Sequence, residues 1–264
     1  MKKNLCAVIA LFVINTLQAQ QKEGTVIYER TMQMQLSIDD NAHMGQMMPK
    51  SRTDKFELNF GNNQSLWKHV DEENGADEMN NGGMQIRMIG PGQDDIIFCN
   101  FDAANKTEQR SMFDKKFIVA DSIRKLNWKI TGETKTILDH VCQQAIAQRY
   151  GKRTVMNMEN GKIERKETND TSNIVAWFTT DIPVAAGPEV QGQLPGLILA
   201  LDMNDGRMVY KALEISPKVN LATIKAPVKG KKVTPAEFTT ETQQMMEEMQ
   251  KNQGGGNRII RIQN

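Results

Sequence analysis

Apolar and polar residues alternate along most of the chain, a pattern typical of β-strands with one buried face. Residues 24–38 (GTVIYERTMQMQLSI) and 55–60 (KFELNF) both show this period of two. Asn160-Gly161 lies between two alternating arms, which is the strongest short-range signal of a β-hairpin, and Asn204-Asp205-Gly206 stands in a similar position. Helical periodicity is largely absent before residue 234. The sequence therefore predicts a mainly β fold, a strongly curved antiparallel sheet that is bowl-like or a half-barrel.

The end of the chain follows a helical pattern instead. Thr234-Pro235-Ala236-Glu237 has the form of a capping box with Pro at the first helical position. Apolar side chains then recur on one side at helical spacing, before three consecutive glycines; they are Phe238, Met245, Met246 and Met249. The pattern predicts a C-terminal α-helix over about 235–252.

A Pro-Gly pair stands directly before the apolar residues 197–201. In Leu194-Pro195-Gly196-Leu197, Pro suits the second position of a type II turn and Gly the third, which requires a positive φ. The four residues therefore predict a structural turn that decides which side chains of the following strand face the core. Five consecutive apolar residues further predict a strand covered on both sides, by the sheet and by the helix around 238–249.

The domain organisation follows from composition. Residues 71–95 are rich in Asn, Gly and acidic residues, which predicts a long mobile loop. Residues 20–264 otherwise show continuous strand patterning, and an all-β chain of this length is commonly one domain.

The first residues predict the compartment. Lys2 and Lys3 precede an apolar stretch at 5–17, and Leu17-Gln18-Ala19 offers a small residue for cleavage. This is the layout of a secretory signal peptide, here over residues 1–19. The stretch is shorter than the about 20 residues of a membrane span. We expect an exported protein without a transmembrane span, in the periplasm, at the outer-membrane periphery or outside the cell.

Charge and motifs exclude several functions. The chain has 33 basic and 32 acidic residues and no basic stripe interleaved with aromatic residues, which argues against nucleic acid as a partner. It contains no nucleophile elbow, metalloprotease pattern or phosphate-binding loop. Asp139-His140 fits a base with its orienting carboxylate, but such a pair between two strands is more often a turn. Asp94 and Asp95 are more typical of a solvated loop. We predict no catalytic residue.

Two cysteines remain after the signal peptide, Cys99 and Cys142. An even pair in an oxidising compartment is compatible with a disulfide. The alternative is two separate small apolar residues on neighbouring strands, since spacing alone does not show proximity.

Methionine is unusually frequent, with 17 residues, and one cluster lies in a loop bounded by Gly and Pro: His43, Met44, Met47 and Met48. Thioether and imidazole ligands suit soft copper ions, so these four residues are a candidate copper site. The other methionines fit strand or helix patterns, where Met fills irregular apolar gaps.

Several blocks resemble the GLPGLI family of secreted proteins of Gram-negative bacteria of the Bacteroidetes type. The naming motif reads QLPGLI at residues 193–198, with Gln193 in place of the first Gly. Similar blocks cover most of the mature chain; they lie at 55–68, 113–145, 176–188 and in the tail. The resemblance implies a bowl-like sheet and no known activity, and some members are encoded beside energy-coupled outer-membrane transporters. It also implies that restoring Gly at position 193 has little effect.

Three functions follow as hypotheses. The first is a non-catalytic envelope protein that binds a peptide, a lipid or a partner protein in the concavity of the sheet, with an outer-membrane transporter as one such partner. The second is a periplasmic copper-handling protein that uses the His/Met loop. The third is an enzyme with an unrecognised site, which a perturbed carboxylate or His140 in a deep pocket would favour.

Overall fold

The computed structural model describes residues 21–33, 51–70, 78–81, 84–87, 94–112, 114–159 and 162–254. Within these residues the chain is mainly β, with one α-helix, α1 (Pro235–Gly254), and a short 3-10 helix (Leu221–Thr223). The strands in chain order are β1 (Gly24–Gln33), β2 (Ser51–Gly61), β3 (Gln64–His69), β4 (Glu78–Asn81), β5 (Met84–Arg87), β6 (Ile96–Asn100), β7 (Asn105–Met112), β8 (Lys115–Ser122), β9 (Lys129–Ile137), β10 (His140–Glu159), β11 (Lys162–Thr179), β12 (Leu197–Met203), β13 (Met208–Ser216) and β14 (Lys231–Val233).

Twelve strands form one sheet in the order β14-β8-β7-β6-β3-β2-β1-β13-β12-β11-β10-β9. Neighbouring strands pair antiparallel, except that β14 runs parallel to β8. The sheet is open, with β14 and β9 at its two edges. The predicted fold class, a mainly β antiparallel sheet with a C-terminal helix, is confirmed.

The two hairpins predicted from turn residues are present. Strands β10 and β11 pair from Gln143↔Phe178 to Glu159↔Lys162, on either side of the predicted turn. Between β12 and β13, Asn204, Asp205 and Gly206 have φ values of 59°, 56° and 84°. Asn, Asp and Gly are the residues that adopt this left-handed conformation at low cost.

Two short strands lie within the segment predicted as a loop, residues 71–95. Strands β4 and β5 pair antiparallel as a separate two-stranded sheet. Sequence analysis missed them because four residues are too short a window for alternation to be recognised.

The main core lies on one face of the large sheet, which we call the inner face. Val26, Tyr28, Phe56 and Leu58 point to this face and are buried. The opposite, outer face carries a smaller cluster in which Leu66 and Phe98 pack with Ile224, next to the 3-10 helix. The two faces follow from the alternation of side chains along each strand.

Residues 181–196, which we call the strap, connect β11 to β12 and pack on the inner face. Its apolar side chains belong to the main core; they are Ile182, Val184, Ala186, Val190 and Leu194. The backbone N–H groups of Leu197 and Ile198 donate to the carbonyls of Ile182 and Ala186, each over 3.0 Å. The strap therefore joins the start of β12 by main-chain hydrogen bonds as well as by burial.

Strand β12 is buried on both sides, as its apolar run predicts. Leu197, Ile198 and Leu199 are all at most 1% exposed. The predicted cover was wrong, because α1 packs on Phe117, Val119 and Val233, on β8 and β14 rather than on β12. The strap occupies that position instead.

Gly196 does not form the predicted type II turn. Its φ is not positive, so the turn prediction for Leu194-Pro195-Gly196-Leu197 is wrong. The glycine serves a close approach of two backbones: an added Cβ would lie 2.0 Å from the carbonyl oxygen of Thr179. The role is structural, and its reason is space rather than conformation.

Helix α1 begins with the predicted capping box. The Thr234 N–H donates to Oε2 of Glu237 over 2.7 Å, and the Glu237 N–H donates to Oγ1 of Thr234 over 3.2 Å. The hydrogen bond from the Thr234 N–H, and a second one from the Thr234 hydroxyl, lower the pKa of the Glu237 carboxyl. Phe238 packs edge-on against Phe117, with ring centroids 5.4 Å apart.

Candidate functional site

Charged side chains are buried at one end of the inner face, where β1 and β2 pair. Arg30 stands directly opposite Asp54 in the register, and Arg30 Nη2 lies 2.8 Å from Asp54 Oδ2. Arg52 Nε donates to Asp54 Oδ1 over 2.9 Å. We call these three residues the closed triad, because their side chains are 5%, 10% and 3% exposed for Arg30, Arg52 and Asp54.

The closed triad is stabilised by its surroundings. Burial alone would raise the pKa of the Asp54 carboxyl, but the hydrogen bonds and positive charges of Arg30 and Arg52 hold it below its usual range. The Arg30 guanidinium lies over the Phe56 ring, 4.6 Å from its centroid. A buried carboxylate is thus matched by two cations and an aromatic face.

The strap reaches this end of the face through Glu189. The Tyr210 hydroxyl donates to Glu189 Oε1 over 2.6 Å. Burial, reinforced by the Glu189 carboxylate, raises the pKa of Tyr210, so the phenol stays a proton donor. Glu189 itself has a φ of 56°, a conformation that costs free energy in a non-glycine residue and that this hydrogen bond helps to hold.

A second group of charges lies on β7. Lys106, Glu108 and Arg110 alternate along the strand and so share one face; Glu108 stands opposite Val119 and Ile97. Glu108 accepts hydrogen bonds from Lys106 and from Arg110 Nε, the latter over 2.6 Å. We call these three residues the open triad, because Lys106 and Arg110 are 31% and 41% exposed while Glu108 is 6% exposed.

The open triad lies between the strap and helix α1. The Arg110 guanidinium lies 5.6 Å from the centroid of the Phe238 ring of α1. The negative charge of Glu189 in the strap helps to raise the pKa of Arg110. Burial would raise the pKa of the Glu108 carboxyl, but Arg110 and Lys106 hold it below its usual range. At neutral pH the triad therefore carries one buried anion and two partly solvated cations.

Asp95 is the perturbed carboxylate at this end. Burial raises the pKa of its carboxyl, although the charge of Arg110 and a hydrogen bond from the Ser111 N–H oppose the rise. Asp94, beside it, is exposed, as predicted for a solvated loop, but Asp95 is partly buried, so the prediction was wrong for Asp95. Asp95 therefore adds a titratable group to the site.

The other end of the strap is held by amide side chains. Ser65 Oγ donates to Gln191 Oε1 over 2.5 Å in a buried position. Gln193 Oε1 accepts from the Leu126 N–H over 2.9 Å and from Trp128 Nε1 over 3.0 Å. Sequence reasoning treated Gln193 as an inert replacement; no motif pointed to these partners, which lie more than 60 residues away in the chain.

Cys99 and Cys142 are free, buried thiols, so the predicted bridge is not formed. Cys99 lies on β6 and Cys142 on β10, and the sheet order places six strands between them. Burial raises the pKa of Cys99 to about 12 and that of Cys142 to about 11. The alternative interpretation is right that these are two separate small residues, but wrong that their strands are neighbours.

Asp139-His140 is a turn rather than a base with its orienting group. Asp139 has a φ of 64° in the β9–β10 connection, and His140 Nδ1 lies 3.2 Å from Asp181 Oδ2 instead. Nearby, Lys135 Nζ lies 4.0 Å from the centroid of the Trp177 ring. His69, on β3, packs edge-on against Phe56 at the closed triad.

The predicted copper ligands His43, Met44, Met47 and Met48 lie outside the described residues, as does the predicted signal peptide. Among the residues described, no three His, Cys, Asp or Glu side chains are grouped as a metal site. In the same part of the chain, α1 is not apolar enough to cross a membrane.

Residues 128–200 match the model of a family of unknown function, Porph_ging, which is named for Porphyromonas gingivalis of the Bacteroidetes. This confirms the coarser part of the resemblance, a Bacteroidetes-type family without known function. No curated protein matches the sequence.

Two structures of PNGF-II, in space groups C2 and P21, are similar in fold, with a TM-score of 0.51 and 14% identity. The similarity covers 84% of this chain and 33% of that one, so this chain spans about a third of the length of PNGF-II. At this identity the likeness concerns the fold alone.

Proposed function

We propose that the protein is a non-catalytic, exported protein of the bacterial cell envelope that binds its ligand at the polar end of the inner face. One observation carries the proposal: the strap and α1 leave the open triad between them partly solvated. The rest of the inner face that the structure describes carries the main core, the closed triad and the cluster of Phe117, Val119 and Val233 under α1. Charged groups held in fixed positions beside apolar walls are typical of binding sites.

The shape of the inner face supports a ligand in a concavity. Trp67 on β3 and Tyr210 on β13 are separated by two strands, which would place their backbones about 14 Å apart in a flat sheet. Their ring centroids are 5.9 Å apart. Side chains that meet across this spacing fit a sheet that bends towards its inner face.

The ligand classes in this proposal are a peptide, a lipid or a partner protein, with an energy-coupled outer-membrane transporter as one such partner. The proposal includes membership of the GLPGLI family, on the motif at residues 193–198, and removal of residues 1–19 on export. N-terminal sequencing of the protein from the envelope tests the second point: a chain that still begins at residue 1 contradicts export by this route.

Site-specific photo-crosslinking in intact cells tests the location of the ligand. A photoreactive amino acid replaces Glu189, which is exposed on the strap beside the open triad, and in a matched control it replaces Thr223, which is exposed on the outer face. We expect a discrete adduct from position 189 and none from position 223. Equal labelling at both positions, or none at 189, contradicts a site on the inner face.

A further inference from the structure

Positive charge is concentrated in one segment of the chain. Residues 215–236 contain five lysines and no acidic residue; the lysines are Lys218, Lys225, Lys229, Lys231 and Lys232. The whole chain, in contrast, balances 33 basic residues against 32 acidic ones. The segment comprises the connection from β13 to β14 and β14 itself.

The structure places this segment on the outer face of the sheet. Ile224 packs in the outer-face cluster. Further along the chain, Lys232 stands opposite Ile118 of β8. Its neighbour Val233 packs under α1 on the inner face, and successive side chains of a strand point to opposite faces, so Lys232 points to the outer face. Residues 225–229 therefore run from a buried anchor on the outer face to the edge of the sheet.

Four lysines come together there, and we call them the basic patch: Lys116, Lys225, Lys229 and Lys232. Lys116 lies two residues before Ile118 on β8 and so shares the outer face with it. A Cβ on Gly230 would lie 2.7 Å from the Lys116 carbonyl oxygen, so the segment passes directly beside Lys116. All four lysines are exposed, and within the described residues no carboxylate is paired with any of them.

The neighbouring strands add no negative charge to the outer face. Alternation from Phe98 and Ile118 assigns uncharged residues of β6, β7 and β8 to this face, besides Lys116; they are Ile96, Phe98, Asn100, Asn105, Thr107, Gln109, Ser111, Ile118, Ala120 and Ser122. Glu57 is paired with Lys68, and Glu241 of α1 is paired with Lys231. Asp114, exposed in the β7–β8 turn, borders the patch. Cations therefore outnumber carboxyl groups at the basic patch.

An apolar side chain is exposed among these lysines. Val228 is 78% exposed and stands directly before Lys229, after Pro227, whose ring restricts the backbone. An apolar side chain surrounded by lysines is suited to a membrane surface, because it can enter the interface while the lysines contact anionic headgroups.

We propose that the outer face docks on the surface of an anionic phospholipid bilayer, with Val228 inserted at the interface and the basic patch on the headgroups. A nucleic acid offers the same negative charge, but it has no apolar layer for Val228, and the basic patch has no aromatic side chain on which bases could stack. Docking by the outer face turns the inner face, with the open triad, away from the membrane. The inference does not depend on the ligand proposed for the inner face.

Sedimentation with vesicles tests the inference on the protein without residues 1–19. One preparation contains phosphatidylglycerol and phosphatidylcholine in equal parts, and the other contains phosphatidylcholine alone. We expect binding to the anionic vesicles to be at least about tenfold stronger. Added salt should weaken it, because the contacts are between solvated charges.

Lys229→Gln combined with Lys232→Gln should weaken binding to the anionic vesicles at least about tenfold, since each lysine near the surface contributes a factor of about five. The matched control combines Lys125→Gln with Lys129→Gln. It removes the same charge from two other exposed lysines and should bind as the parent does.

A fluorescent label at position 228 reports insertion separately from affinity. Cys99 and Cys142 are buried, so a polarity-sensitive dye reacts with the new thiol of Val228→Cys. Its emission should shift to shorter wavelength when anionic vesicles are added. Val141→Cys is the matched control, since Val141 is also an exposed valine, at 59%, and its label should not shift.

Four results overturn the inference: equal binding to the two vesicle preparations, a Lys229/Lys232 variant that binds as the parent does, an unchanged emission from the label at position 228, or tighter binding to a single-stranded oligonucleotide than to the anionic vesicles. A missing photo-crosslink at position 189 contradicts only the site on the inner face. Membrane docking and the proposed function can therefore fail separately.

Discussion

The closed and open triads have the same kind of charged groups and differ in how far their cations are exposed to solvent. Each holds a buried carboxylate between two cations, and in each the cations keep the pKa of that carboxyl below its usual range. In the closed triad the side chains of the cations are 5% and 10% exposed; in the open triad they are 31% and 41% exposed. The difference arises from position, because Arg30 lies near the middle of the sheet while Arg110 lies on β7, between the strap and α1.

The solvent exposure of the cations decides whether such a triad stabilises the fold or can bind a ligand. A buried cation that loses its carboxylate has no water to replace it, so the closed triad is committed to stability. A cation at the edge of the cover can exchange a protein contact for water or for a ligand at low cost. We therefore infer that the closed triad positions the strands and that the open triad remains available for binding.

The largest expected effect is that of Asp54→Asn, which leaves Arg30 and Arg52 buried without their carboxylate. We expect a loss of about 3–5 kcal/mol in the free energy of unfolding, measured by urea denaturation at neutral pH. A loss below about 1 kcal/mol would mean that water reaches the closed triad and that the cations of the two triads do not differ in solvent exposure.

Gly196→Ala tests whether the strap, which closes the inner face, needs its close approach to β11. The new Cβ would lie 2.0 Å from the Thr179 carbonyl oxygen, so the backbone must move, at a cost of about 2–3 kcal/mol. Gly151→Ala is the matched control, because nothing lies within 4 Å of its Cβ. Its unfolding midpoint should stay close to that of the parent, and equal midpoints for both variants contradict the packing account.

Gln193→Gly tests the amide contacts at the other end of the strap. The change leaves the Leu126 N–H and Trp128 Nε1 without their common acceptor, and we expect a loss of about 1–2 kcal/mol. Gln193→Glu keeps an acceptor and should lose less. A Gln193→Gly variant with an unchanged free energy of unfolding would agree with the family motif, which has Gly at this position. It would also show that the strap is held by burial alone.

Local patterns predicted the fold well because they act over a few residues. Alternation of apolar and polar residues predicted the strands. Asn204-Asp205-Gly206 predicted the turn between β12 and β13, and Thr234 with Glu237 predicted the start of α1. Gly196 shows where this reasoning ends: Pro-Gly suits a type II turn locally, but the conformation follows from the backbone of Thr179. A close approach between segments that are distant in the chain cannot be predicted from the residues next to each of them in sequence.

The site was less predictable than the fold. Alternation along residues 24–33 places Arg30 on the same face as Val26 and Tyr28, but its partner Asp54 lies on the next strand, and the pairing needs the register. Lys106, Glu108 and Arg110 are spaced two apart, which places them on one face, yet spacing cannot show that the strap and α1 border them. The pattern K-x-E-x-R at residues 106–110 was the one available signal, and the sequence analysis predicted no strand there.

The smallest expected effect, and the sharpest test of the comparison, is that of Glu108→Gln. Lys106 and Arg110 can turn to water when the carboxylate is lost, so we expect a loss of only about 1 kcal/mol at pH 7. The pKa of Glu108 is lowered in the folded state, so its contribution is complete above the unfolded value of about 4.3 and is lost as the pH falls through the folded value. The difference in unfolding free energy between parent and variant should therefore shrink towards zero in acid. Denaturation series at several pH values measure it; a difference that persists at low pH would mean that the Glu108 side chain acts through packing, and that its charge is not what holds Arg110 in place.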